Sequence, residues 1–218
     1  MKKADKIKYG KLATELFKKE YVGAVCSLDY CENNAFQLLV ATRLSAQCTD
    51  ARVNMVTPVL FKRFPDAKSM ANADIVEVEE LIKSCGLYKT KAADLVNMSK
   101  MLCENYGGVV PDTVEELTKL SGVGRKTANL VCGDIYGKPA VVADTHFIRL
   151  CNRIGFVKTT DPFKVEKEMR EILPPHESNG FCHRAVLHGR KVCTARKAYC
   201  ENCCFNEFCE KHLDYKKK

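Results

Sequence analysis

Four cysteines close the chain in a fixed rhythm: Cys193, six residues, Cys200, two residues, Cys203, five residues, Cys209. Four thiols in so short a segment are best explained by a metal centre around which the C-terminal chain must wrap. Most zinc modules build on two well-separated close pairs, or on Cys and His together. A compact four-cysteine set is what an iron–sulfur cube needs, one thiolate per iron. The spacing leaves a structural zinc knot open as the alternative. The run between the first two ligands is basic through Arg196 and Lys197. Cations there partly offset the negative charge of a four-thiolate cluster, and the same loop can face a polyanion.

The chain has 218 residues, enough for one large domain or two small ones around a buried core. Hydrophobic residues make up 46%, which places it among folded globular proteins. A net charge of +8 suits an acidic partner, nucleic acid or an anionic membrane surface. The membrane option is weak, because no apolar run approaches the ~18 residues of a spanning helix. Residues 1–20 are charged throughout and lack the apolar middle of a signal peptide. The expectation is a cytoplasmic protein. In a reducing cytosol, thirteen cysteines read as metal ligands plus small core residues. Cys26, Cys31, Cys48, Cys85, Cys103, Cys132, Cys151 and Cys182 are therefore expected to fill core. Cys204, directly after a ligand, is the ambiguous one.

The dominant periodicity is helical. Asp74-x-x-Glu77 reads as an acidic capping box opening a helix that ends near Cys85, with Gly86 just past it. Thr113-Val114-Glu115-Glu116 reads as a capping box proper, and Asp161-Pro162 as an N-cap with proline at the first helical position. Further helices are expected at roughly 35–46, 50–63, 90–105, 126–136, 145–154 and 162–172. Pro139-Ala140-Val141-Val142-Ala143 is the one plausible strand, or else a buried connector. The expected product is all-α with short loops.

Leu120-Ser121-Gly122-Val123-Gly124-Arg125-Lys126-Thr127-Ala128 follows one short helix and opens another. Gly122 and Gly124 permit a tight turn that brings backbone N–H groups to the surface, at the start of a helix that favours anions. A nucleotide P-loop fails, because Arg125 rather than glycine precedes Lys126 and the preceding segment is helical. A dinucleotide fingerprint fails because Thr127 stands at the third glycine position. What remains is a helix-hairpin-helix that grips DNA phosphate without reading sequence, or an ordinary helix–helix turn. Lys126 lies in the first turn, where the helix dipole and Arg125 disfavour its ammonium form. A lysine that can lose its proton is a nucleophile able to form an imine, although alone it reads as a phosphate-binding lysine.

Val141-Val142-Ala143-Asp144-Thr145-His146 then places a carboxylate at the end of an apolar segment and the start of a helix. An N-cap is the plain reading of Asp144. A partly buried Asp144 facing Lys126 could also take its proton or stabilise a developing positive charge.

These residues together resemble the endonuclease III family, the iron–sulfur branch of the helix-hairpin-helix DNA glycosylases. The matching segments are Leu44-Ser45-Ala46-Gln47-Cys48-Thr49-Asp50, Gly86-Leu87-Tyr88, the hairpin through Asn129, Asp144-Thr145-His146, His188-Gly189-Arg190 and the four cysteines. They run in family order over nearly the whole chain. The resemblance implies an all-α, two-domain helix-hairpin-helix glycosylase fold with a cleft between the domains. A six-helix barrel would cover residues 28–138. Residues 1–27 would be a helical segment packing with a C-terminal helical domain, 139–218, that holds a [4Fe–4S] cluster on Cys193, Cys200, Cys203 and Cys209.

The implied activity is base-excision DNA repair by a bifunctional glycosylase and abasic-site lyase acting on oxidised pyrimidines. Such an enzyme flips the damaged base out of the duplex. Lys126 matches the nucleophile that attacks the sugar, expels the base and cuts the strand by β-elimination through an imine. Asp144 matches the carboxylate that assists. Gln47 and Leu87 match positions that fill the gap in the base stack; polar loop and core packing are their plain alternatives. Gly122, Gly124, Arg125, Arg196 and Lys197 would contact DNA. The expected partner is double-stranded DNA with a damaged or abasic site, bound by a nucleoid-associated monomer with no membrane attachment.

Several residues depart from the family pattern. Ser121 stands where proline is common before the glycines, which predicts a slightly less rigid hairpin. Arg43 and Cys48 replace commonly apolar or small residues, and Lys89 stands where asparagine is frequent. Two other functions remain open: a monofunctional glycosylase for mismatched or alkylated bases, and a non-catalytic iron–sulfur DNA-binding redox sensor.

Overall fold

The computed structural model describes residues 1–216. Among them there are helices and short 3-10 turns but no strand; the one bridge, Cys193 to Ala198, is isolated. The chain divides into two compact units, Cys26–Tyr136 and Met1–Val25 with Gly137–Lys218.

The unit Cys26–Tyr136 contains α2 (Ala35–Leu44), α3 (Asp50–Arg63), α4 (Ala67–Ala71), α5 (Ile75–Ile82), α6 (Tyr88–Tyr106), α7 (Val114–Leu117) and α8 (Arg125–Asp134). Its centre is α2, where Phe36, Leu38, Leu39, Val40, Ala41 and Leu44 are all buried. A helix buried on nearly every side belongs inside, and each of its large apolar side chains, Phe36, Leu38, Leu39, Val40 and Leu44, contributes about 1.5–3 kcal/mol by leaving water. A 3-10 turn, Lys83–Cys85, follows α5 and ends at Gly86, whose φ of +68° suits glycine.

The second unit holds α1 (Lys3–Glu20), α9 (Thr145–Ile154), α10 (Pro162–Ile172), α11 (Ser178–Lys191) and α12 (Glu210–Lys216). α1 buries a stripe of Gly10, Ala13, Thr14 and Phe17. Gly10 is needed there because a Cβ would lie 2.6 Å from the Ile172 carbonyl oxygen. Phe17 packs against Phe181, Phe205 and His188. α9 has the strongest one-sided pattern, burying Phe147, Leu150, Cys151 and Ile154.

Side chains cap helices at Asn34, Thr49, Asp66, Asp74, Thr113, Asp144 and Asp161. Two capping expectations need correction. Asp74 accepts from Val76 rather than forming a box with Glu77. At Thr113 only half of the box forms, because the Glu116 carboxylate takes Tyr106 and Lys119 instead. The reciprocal box is Asp66 with Ser69, where serine replaces the usual glutamate. The segment 139–143 is the buried connector, not a strand: Ala140, Val141 and Val142 are buried, and the Val142 N–H donates to the Cys182 sulfur at 3.2 Å. α11 is absent from the sequence expectation. Gly180 and Gly189 lower its helix propensity, yet Gly189 lets α11 approach α9, since a Cβ would meet His146 Nδ1 at 2.8 Å. Among the cysteines expected in core, Cys85, Cys132, Cys151 and Cys182 are buried; Cys26, Cys48 and Cys103 are half-buried and Cys31 is exposed.

Candidate functional site

The hairpin joins α7 to α8. Gly122 takes φ +71°, and Val123 turns inward to 6% exposure, with its N–H bonded to the Leu120 carbonyl. Gly124 is the N-cap of α8 and offers no side chain, so the first-turn N–H groups have no side-chain cap. Such a turn holds fixed donors at the positive end of a helix, the arrangement that receives a phosphate oxygen. Arg125 and Lys126 are the first two residues of α8, and both are exposed. The serine that precedes the hairpin has a side-chain partner. Ser121 Oγ donates to Asp94 Oδ1 at 3.0 Å, and Asp94 Oδ2 receives Arg43 Nε at 2.8 Å and Nη2 at 2.5 Å.

Gln47 and Leu87 share an unusual backbone. Their φ values are +54° and +48°, in the left-handed region that side chains other than those of Gly, Asn and Asp rarely occupy. Both are exposed, Leu87 to 58%. This corrects the core-packing alternative for Leu87. An exposed leucine held in a conformation costing of order 1–3 kcal/mol is pointed outward by its surroundings. One buried group ties the bases of both loops together. Lys91, fully buried on α6, donates from Nζ to the Leu44 and Cys85 carbonyls, each at 2.8 Å. Burial lowers its pKa from the ordinary lysine value. Lys91 and Asp94 escaped sequence reasoning; a lysine on the apolar face of α6 was the available signal.

In the other unit, the apolar connector delivers Asp144 to the start of α9, half-buried. Its Oδ1 accepts the Phe147 N–H at 2.7 Å, so Asp144 is an N-cap. Lys126 belongs to the unit Cys26–Tyr136 and Asp144 to the other. Arg149, on α9, donates to the Gly189 and Cys193 carbonyls, linking the helix after Asp144 to the first cysteine of the C-terminal set.

The structure brings Cys193, Cys200, Cys203 and Cys209 to the wall of one cavity, with Leu150, Ile154, Arg153 and Phe205; Cys204 does not line it. Among the described residues, no three Cys, His, Asp or Glu groups lie close enough to hold one metal ion. Donors point at the sulfurs: Arg153 Nη1 reaches Cys193 Sγ at 3.3 Å, and the Phe205 N–H reaches Cys203 Sγ at 3.5 Å. Burial, reinforced by the neighbouring thiols, pushes Cys203 up to about 12 and raises Cys200 and Cys209. A positive charge in the cavity would favour the thiolate forms of these three. The donor set and its N–H···S bonds fit a multinuclear iron–sulfur centre. The loop between the first two cysteines is held by Thr194, which bonds Lys197 through both backbone groups, and by Arg153 on the Thr194 and Ala195 carbonyls. Arg196 and Lys197 are exposed at its tip, and Lys197 lies over the Tyr199 ring.

Comparison with known proteins sets these features in a family. Residues 40–175 match the HhH-GPD superfamily base excision DNA repair proteins. An endonuclease III from Synechocystis sp. is 46% identical over 201 residues, covering 90% of this chain and 91% of that protein. Among solved structures, a non-covalent endonuclease III–DNA complex is 36% identical with a TM-score of 0.88, covering 100% of both chains. A trapped endonuclease III–DNA covalent intermediate is also 36% identical with a TM-score of 0.88, covering 99% of both. The hairpin, the two outward loops and the cysteine-lined cavity therefore sit in a chain that belongs to the endonuclease III family of the HhH-GPD superfamily.

Proposed function

We propose that this protein is a bifunctional base-excision enzyme that removes oxidised pyrimidines from double-stranded DNA and cleaves the resulting abasic site. The observation that carries this reading is Lys126 itself: an exposed amine at the second position of α8, directly behind a hairpin built to hold phosphate. A relative that forms a trapped covalent intermediate with DNA needs a nucleophile, and an amine so placed is one.

The hairpin amides of Gly122 and Gly124 and the cation of Arg125 grip the backbone without reading sequence. Gln47 and Leu87, held outward on their left-handed turns, occupy the gap that the extruded base leaves. Lys126 Nζ attacks the sugar C1′, and the glycosidic bond breaks with its electron pair on the base. The adduct opens to an imine, a proton leaves C2′, and the 3′ C–O bond breaks with the phosphate as leaving group. Asp144 is the carboxylate that offsets positive charge at the sugar and accepts a proton, while its Oδ1 caps α9. The test is a single-turnover assay on duplex carrying one oxidised pyrimidine. Base release and strand cleavage should rise together; release without cleavage would make the enzyme monofunctional.

Cys193, Cys200, Cys203 and Cys209 would hold a [4Fe–4S] cluster, which supplies a cross-link that orders the C-terminal loop. The chain's own residues present that loop. Arg149 and Arg153 pin its backbone, leaving Arg196 and Lys197 at the tip to neutralise phosphate. Purified protein is expected to be brown with four irons per chain. Cys204→Ser should keep all four, and Cys203→Ser should lose them. Colourless protein with one zinc per chain would contradict the assignment.

A further inference from the structure

Arg43, Asp94 and Ser121 take no part in the chemistry above, yet they meet directly beneath the hairpin. Each oxygen of the Asp94 carboxylate holds a different element: Oδ2 takes the Arg43 guanidinium at the end of α2, and Oδ1 takes Ser121, the residue before Gly122. The Arg43 and Asp94 side chains are 15% and 20% exposed, so the pair is largely withdrawn from solvent screening. The hairpin backbone rests on this pair. A Cβ at Gly122 would lie 2.7 Å from Arg43 Nε and 2.9 Å from Asp94 Cγ. Glycine is thus favoured twice at 122, by its positive φ and by what lies under it.

A serine before two glycines has no intrinsic stiffness. The tether to Asp94 supplies it from outside the turn. Arg43 in turn fixes the carboxylate, and α2 leads directly into the loop that carries Gln47. The nucleophile stands five residues after Ser121, on the first turn of the helix that the hairpin launches.

We propose that Asp94 is a positioning residue for Lys126: its carboxylate, oriented by Arg43, fixes Ser121 and so sets the hairpin and the nucleophilic amine in place. This rests on the reading of Lys126 as nucleophile. Misplacing a reacting group by about an ångström costs on the order of 100-fold in rate while altering binding far less. Loss of the tether therefore falls far more on the rate of covalent adduct formation than on DNA affinity.

The experiment uses the full chain and duplex DNA with one abasic site. The rate of borohydride-trapped adduct is measured at saturating protein, and affinity is measured on duplex with a non-cleavable tetrahydrofuran abasic analogue. Ser121→Ala removes the tether and leaves the ion pair, so it folds normally. Its trapping rate is expected to fall by roughly threefold to tenfold, and that of Asp94→Ala by on the order of 10- to 100-fold. Affinity for the analogue should stay within about threefold in both. Adding Ser121→Ala to Asp94→Ala should cost nothing further, because both act through one contact. Amide hydrogen exchange at 122–125 should quicken in both variants.

Wild-type trapping rates in folded Ser121→Ala and Asp94→Ala overturn the inference, with or without faster exchange. Additive losses in the double variant do so as well. Should Asp94→Ala fail to fold, Ser121→Ala alone decides. Failure of the underlying reading would look different: Lys126→Ala, run beside these variants, would still trap.

Discussion

Lys126→Ala is expected to abolish strand cleavage and borohydride trapping, and base release with them. No other group in the proposed chemistry can form the imine. The fold should not notice. Lys126 is exposed on the first turn of α8, and alanine is the best helix former, so stability should change by no more than about 0.5 kcal/mol. DNA affinity should fall only modestly, because the backbone donors of the hairpin remain. Lys126→Arg makes the sharper point. It keeps the cation that a phosphate-binding lysine would need, but guanidinium stays protonated and forms no imine. Restored cleavage in Lys126→Arg would turn Lys126 back into a phosphate ligand.

The second large effect concerns Asp144, which has two candidate duties. As an N-cap it accepts the Phe147 N–H through Oδ1, and asparagine caps comparably well. Asp144→Asn should therefore leave the melting temperature within about two degrees, the shift expected of a change below ~0.5 kcal/mol in a chain of this size. A neutral amide, however, can neither accept a proton nor offset charge at the sugar. Single-turnover base release should slow on the order of 100- to 10,000-fold. Calorimetry and single-turnover kinetics on the same sample separate the duties. A variant with native stability and release within a few-fold of wild type would leave Asp144 as a cap alone.

Much of this is legible in the sequence. The all-helical class follows from periodicity, and α9 and α10 begin where Asp144 and Asp161 announce them. The hairpin could be read from two glycines around a valine, and the C-terminal cysteines from spacing. The contacts that set the hairpin in place were not legible, because they join residues far apart in the chain. Asp94 lies 51 residues from Arg43 and 27 from Ser121. Each stood as a separate departure from the family pattern: serine for a stiff proline, arginine for an apolar or small side chain. Together they are the two partners of one carboxylate. Lys91 was hidden for the same reason, since nothing local says that its ammonium will find the carbonyls of Leu44 and Cys85. The reciprocal capping box was missed differently: Asp66 and Ser69 follow the physical rule with residues outside the usual pattern. α11 was obscured by Gly180 and Gly189, which lower its helix propensity. The tertiary fold retains Gly189 for close approach to α9.

The central claim is that one lysine at the head of the hairpin helix makes the bond to DNA. It is tested most directly by trapping the wild-type protein on an abasic duplex with borohydride, digesting the adduct and locating the modified residue by mass spectrometry. The account predicts a single stable secondary amine at Lys126, in stoichiometric yield and dependent on the abasic site. An adduct on any other amine, or none in a sample that releases the damaged base, would contradict it.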